Sequence, residues 1–151
     1  MKPSFAQVLM GVASTLVDDV APHIGDDAPY AVGHIGTIGL ILACAAQEAD
    51  RAAETATLEQ DALRALFAEA ALAPLAPDLR ARLRAAGADN RRPSLRVSDL
   101  EAQTAQLKLL LMELLETIET ERFDWAERLE SRIWDVLKSG AERRALYLPV
   151  L

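Results

Sequence analysis

The chain is poor in the side chains that do most redox, metal and stacking chemistry. It has one cysteine, two histidines, two tryptophans, two tyrosines and three phenylalanines among 151 residues. A lone Cys44 cannot close an intrachain disulfide, so the stapled scaffolds of small secreted proteins are excluded and a reducing cytoplasm is the expected setting. Two histidines with no Glu-x-x-His pair fall short of the three or four ligands that a zinc or di-iron centre requires, and neither metal nor cofactor is expected. No phosphate-binding glycine loop, nucleophile elbow, zinc pattern or dinucleotide fingerprint occurs anywhere, which weighs against an enzyme.

Positive charge is also short. With a net charge of -7 and a pI near 4.8, the chain lacks the cationic surface that neutralises phosphates, and nucleic acid is not expected as a partner. The longest apolar run, Tyr30 to Ala46, has 17 residues and includes His34 and three glycines. A membrane span needs about 20 apolar residues, so no membrane association is expected. The N-terminus lacks a signal-peptide pattern, and no repeat or low-complexity segment is evident.

What remains is rich in alanine, leucine, glutamate and arginine, the strongest helix formers. The expected fold is all-α, a mostly antiparallel bundle of five or six helices around a buried central helix at about residues 29–55. The length suits a single domain over 1–151. Ser4 with Gln7 forms a capping box that opens a first helix, with Phe5, Val8, Leu9, Val12, Leu16 and Val20 on one face and Pro22 as its stop. Pro29 suits the first turn of the central helix. Thr57 with Gln60 predicts a fresh start, with Leu58, Leu63, Leu66, Phe67, Ala70 and Ala71 inward. A short helix over 78–86 turns Leu79 and Leu83 inward and closes at Gly87. Ser98 with Glu101 opens the next helix, to about Glu121, striped by Leu100, Leu107, Leu111, Leu114 and Ile118. Asp124 with Glu127 caps the last, which Gly140 ends or kinks.

On a wheel of 100° per residue, Tyr30, His34, Thr37, Ile41, Cys44 and Glu48 share one sector, and Val32, Gly36, Gly39 and Ala43 form a small-residue sector open to close backbone approach. A helix apolar on all sides is normally buried on all sides, in a bundle or an oligomer interface. His34 and Cys44 stand ten residues apart, about 15 Å along a helix, so the polar file cannot converge on one atom. Tyr30 with His34, and Thr37 beside them, is the candidate ligand-binding group. The commoner fate of such a histidine is a hydrogen bond to a carbonyl or to a neighbouring tyrosine. Cys44 has no base in sequence to activate it and reads as core.

An Arg-rich loop region spans 80–96. Arg80, Arg84, Arg91 and Arg92 are its candidates for contact with an anion or a partner, against the plainer expectation that they are solvated or paired with the acids Glu113, Glu116 and Glu119. The C-terminal tail, 146–151, is apolar where fraying is usual and suggests a protein partner. The favoured function is a helical interaction or assembly protein, homo-oligomeric. The rival is a small-molecule-binding or catalytic bundle with an interhelical pocket at Tyr30, His34 and Thr37, flanked by Trp125 or Trp134.

Overall fold

In the computed structural model, residues 2–25, 28–91, 94–120 and 124–147 are described. The fold is an all-α helical bundle with no strand among those residues. Its helices are α1 (Phe5–Ser14), α2 (Pro29–Ala70), α3 (Pro77–Ala88), α4 (Val97–Glu119) and α5 (Asp124–Arg144). The Ser4 capping box forms as expected: Gln7 N donates to Ser4 Oγ at 3.2 Å, and Ser4 N donates to Gln7 Oε1 at 2.8 Å. Beyond Ser14 the chain widens into a π-helical turn, Thr15–Val20, and then tightens into a 3₁₀ turn, Ala21–His23. Pro22 lies at the start of that turn, where its missing N–H costs nothing.

Four expected boundaries differ from those observed. The break expected before Thr57 does not exist, and α2 continues through it to Ala70. The segment 52–60 contains neither glycine nor proline, and continuing the helix avoids four orphan N–H groups that a new start would have to satisfy. Helix α4 starts at Val97 behind Arg96, which makes no side-chain capping bond, so Ser98 is inside the helix rather than its cap. Gly140 neither ends nor interrupts α5, which runs on to Arg144.

Gly87 is the clearest correction. It is helical rather than left-handed, since no glycine among the described residues has a positive φ. A Cβ at Gly87 would lie 2.8 Å from the backbone nitrogen of Ala68. The glycine is needed because α3 comes against the backbone of α2 there, not because the chain turns.

The chain divides into two compact units, one of residues 1–52 with 145–151 and one of residues 53–144. The second unit has a core of large side chains. Leu63, Leu66 and Phe67 of α2 pack with Leu79 and Leu83 of α3, Leu111, Leu114 and Ile118 of α4, and Leu129 and Ile133 of α5. Ion pairs bind the same elements at the rim. Lys108 Nζ reaches Glu59 Oε1 at 2.9 Å, Arg144 pairs with the other Glu59 oxygen, and Arg132 Nε donates to Glu69 at 3.4 Å. Burial works to raise the Glu59 carboxyl, but hydrogen bonds from Arg144 and Lys108, with their charges, outweigh it and hold the group below its usual value.

The first unit is built differently. Its buried residues among those described are Ala13, Gly39, Ala43 and Ala46, all small. A Cβ on Gly39 would lie 2.7 Å from Val17 Cγ2 and 3.8 Å from the Ala13 carbonyl oxygen, so of the small-residue sector it is the Gly39 position that seats the first helical segment against α2, while Gly36 stays open and Val32 exposed. The expected all-round burial of residues 29–55 is therefore not found within the chain. Tyr30, Val32, Ile38 and Ile41 stand exposed, because among its described residues the first unit has just the segment from α1 to the 3₁₀ turn, and the short stretch 145–147, to set against α2. Residues 145–147 return to this unit. Gln47 Nε2 donates to Tyr147 O at 2.7 Å, Tyr147 N donates to Gln47 Oε1 at 3.1 Å, and Arg51 Nη2 donates to Ala145 O at 3.1 Å.

Candidate functional site

The polar file of α2 faces outward. Tyr30 is 84% exposed, His34, Thr37, Ile41 and Glu48 are also exposed, and Cys44 is half-buried. Thr37 Oγ1 donates to the Gly33 carbonyl at 3.0 Å, the usual local bond of a threonine within a helix. The file, Ile41 included, thus lies on open surface beside Ile38. Gly33 and Gly36 flank it with nothing within 4 Å of where a Cβ would stand. Trp134 of the other unit is 60% exposed, and Trp125 packs against that unit's core.

The arginine region resolves into separate contacts. Arg91 grips Asp89 with its Nε at 2.8 Å, its Nη2 at 3.0 Å and its backbone nitrogen at 3.1 Å. The guanidinium, with that backbone donor, holds the Asp89 carboxyl far below the usual carboxylate range. Arg82 bridges two helices. Its Nε donates to Asp78 at 3.0 Å and its Nη1 to Glu113 Oε2 at 2.8 Å, while Nη2 takes the other Glu113 oxygen. The pairing of this region with the acids of α4 is therefore real, but it runs through Arg82. Arg80 is half-buried and Arg84 exposed. Arg92 lies outside the described residues.

A cleft of about 760 Å³ opens on the second unit. Its polar wall is Arg64, Asp89, Arg91, Gln103 and Gln106; its apolar wall is Ala86, Leu107 and Leu110. Of the anion-contact candidates Arg91 lines it and Arg80 and Arg84 do not. Arg64, absent from the sequence expectations, is its most enclosed member, with a side chain 8% exposed. Behind the wall lies a buried network. Gln60 Nε2 donates to Leu100 O at 2.9 Å and to Thr104 Oγ1 at 3.2 Å, and Arg64 Nη1 donates to Gln60 Oε1 at 3.3 Å. The signal for it was present: Gln60 and Arg64 occupy apolar-stripe positions with Leu63, Phe67 and Ala71, spaced i, i+3, i+4, i+7, i+11. A buried glutamine one turn before a buried arginine is a polar network within a core face rather than a helix start.

Among the described residues no group of three or more His, Cys, Asp and Glu side chains is placed to hold a metal ion. An 18-residue window within Tyr30–Ala70 is long and apolar enough to cross a membrane by length and composition, and 17% of it is buried. Comparison with protein-family models, with characterised proteins and with solved structures gives no match in any of the three.

Proposed function

We propose that this chain is a helical assembly module whose first unit self-associates through the outward face of α2, making a homo-oligomer rather than an enzyme. One observation carries the proposal. The first unit buries no large apolar side chain among its described residues, yet it exposes Phe5, Val8 and Val12 on α1 and Tyr30, Ile38 and Ile41 on α2. Single exposed apolar residues are ordinary, but a unit with only alanines and a glycine inside has too little buried area to offset the entropy of ordering two helical segments. Large apolar side chains left exposed on both segments of a unit with so small a core point to an interaction face.

A second copy suits that face better than a bilayer does. The α1 arm offers 13 uncharged residues, Phe5 to Val17, before Asp18 and Asp19, about 20 Å of helix against a hydrocarbon core of about 30 Å. His34 and Thr37 lie in mid-face, where a protein interface can meet polar groups that lipid cannot. The open surface at Gly33 and Gly36 lets a second helix come near to the backbone.

Light scattering of the full chain across concentration tests the proposal. The expected mass is at least twice 16.4 kDa, falling on dilution, with Ile41→Glu monomeric and still helical. A strict monomer at high micromolar concentration would overturn it. So would flotation of the wild-type chain with phosphatidylcholine vesicles that Ile41→Glu abolishes, which would make the occupant lipid.

A further inference from the structure

The cleft on the 53–144 unit is independent of the face assigned to self-association, and two of its lining residues each carry a buried polar atom with no partner among the described residues. Arg64 Nε and Gln103 Oε1 are both buried and have no hydrogen-bond partner. An unpaired buried donor or acceptor is a standing cost to the fold, and finding two in residues of one cleft wall calls for an outside partner. We propose that this cleft binds a small organic acid with an apolar body, its carboxylate received by Arg64 and its hydrocarbon laid along Leu107 and Leu110.

The charge arrangement selects the anion. Arg91 also lines the cleft, but its guanidinium is committed to Asp89 through two charge-assisted bonds. Arg64 is the more enclosed cation: it donates to the neutral Gln60 oxygen at 3.3 Å, stands 4.0 Å from Asp61, and acts on the Asp89 carboxylate through its charge rather than through a hydrogen bond among those described. A guanidinium carries five N–H donors in a fork matched to a carboxylate, and at this depth it gains most from an anion that desolvates with it. Gln103 can serve the same ligand, since an amide turned about its last bond offers N–H in place of oxygen.

The remaining wall selects the rest of the molecule. Leu107, Leu110 and Ala86 give an apolar side, and the volume falls in the range of small-molecule sites, roughly 300–1,000 Å³. A phosphate dianion is disfavoured by the Asp89 carboxylate on the same wall, and among the described lining residues Arg64 alone has no carboxylate gripped by its guanidinium. A monoanion with a hydrocarbon tail meets both sides.

Isothermal titration of the full chain with octanoate tests this, with octylamine as the charge-reversed control. Octanoate is expected to bind saturably with half-saturation below about 1 mM, and octylamine not to bind. Arg64→Met should lose at least tenfold in affinity. Because that variant disturbs a buried network, Gln106→Glu is the second arm: Gln106 is an exposed residue of the same wall, and a negative charge there should weaken octanoate by about tenfold without altering the melt. Absence of saturable octanoate binding, equal binding of octylamine, or affinity unchanged in Gln106→Glu would each overturn the assignment. The oligomeric state does not enter any of these readouts, so failure here leaves the self-association proposal standing, and the converse.

Discussion

The two halves of α2 have nearly opposite chemistry, and it is the uncharged half whose large side chains stand exposed. Residues 30–46 carry no charge, yet Tyr30, Ile38 and Ile41 are exposed; residues 58–70 carry Glu59, Asp61, Arg64 and Glu69, yet Leu63, Leu66 and Phe67 are sealed. Hydrophobicity of a segment sets how much it gains from being covered, not whether its own chain covers it. In the second unit three further helices supply the cover, and alternation of apolar and charged positions makes that cover one-sided. In the first unit the described residues supply one short helical segment, which comes close to α2 at Gly39.

Core truncation is the most forceful way to break this contrast. Phe67→Ala should destabilise the full chain by about 3–5 kcal/mol in urea unfolding, while Ile41→Ala, at low protein concentration, should stay within about 0.5 kcal/mol. A large loss from Ile41→Ala under those conditions would mean that the face is covered within the chain, against the contrast drawn here.

The same glycine-to-alanine change should have opposite signs in the two units. Gly87→Ala puts a methyl against the Ala68 backbone, which cannot move aside, and should cost about 1–3 kcal/mol. Gly36→Ala meets open space in the middle of a helix and should gain up to about 1 kcal/mol in the monomer. If Gly36→Ala instead weakens self-association in light scattering, that glycine is where the second helix approaches.

A smaller effect concerns acid. The Glu59 carboxyl is lowered in the folded state, so its contribution to stability is present in full above its ordinary value of 4.5 and is lost as pH falls through the lower folded value. Glu59→Gln should accordingly flatten the acid limb of a stability-against-pH curve measured by urea titration. A curve as steep as that of the wild type would remove Glu59 from the acid response of the second unit.

Much of the second unit was legible in the sequence. The inward residues of its helices, from Leu63 and Phe67 to Leu114, Ile118, Leu129 and Ile133, follow from helical spacing and are buried. The Ser4–Gln7 cap was legible for the same reason, being local. Features that depend on a neighbour were not. Gly87 was ambiguous because a left-handed turn and a close backbone approach both exclude a Cβ. Thr57 with Gln60 has the letters of a cap, but the strong helix formers around it favour continuing the helix, which frees Gln60 for a bond 40 residues away. As for the candidate site, spacing placed Tyr30, His34 and Thr37 on one face and could not say that the face is open. Arg64 escaped because arginine in an apolar stripe reads as a solvated edge until its surroundings are known.

The bond between Gln47 and Tyr147 sets an order of events during synthesis. Its two halves leave the ribosome 100 residues apart, with the whole of the 53–144 unit made in between. The first unit therefore lacks its last hydrogen bonds for as long as the 53–144 unit is being made. For that interval the apolar arms of α1 and α2 are available to another nascent chain, so neighbouring ribosomes on one message are where self-association would first have its chance.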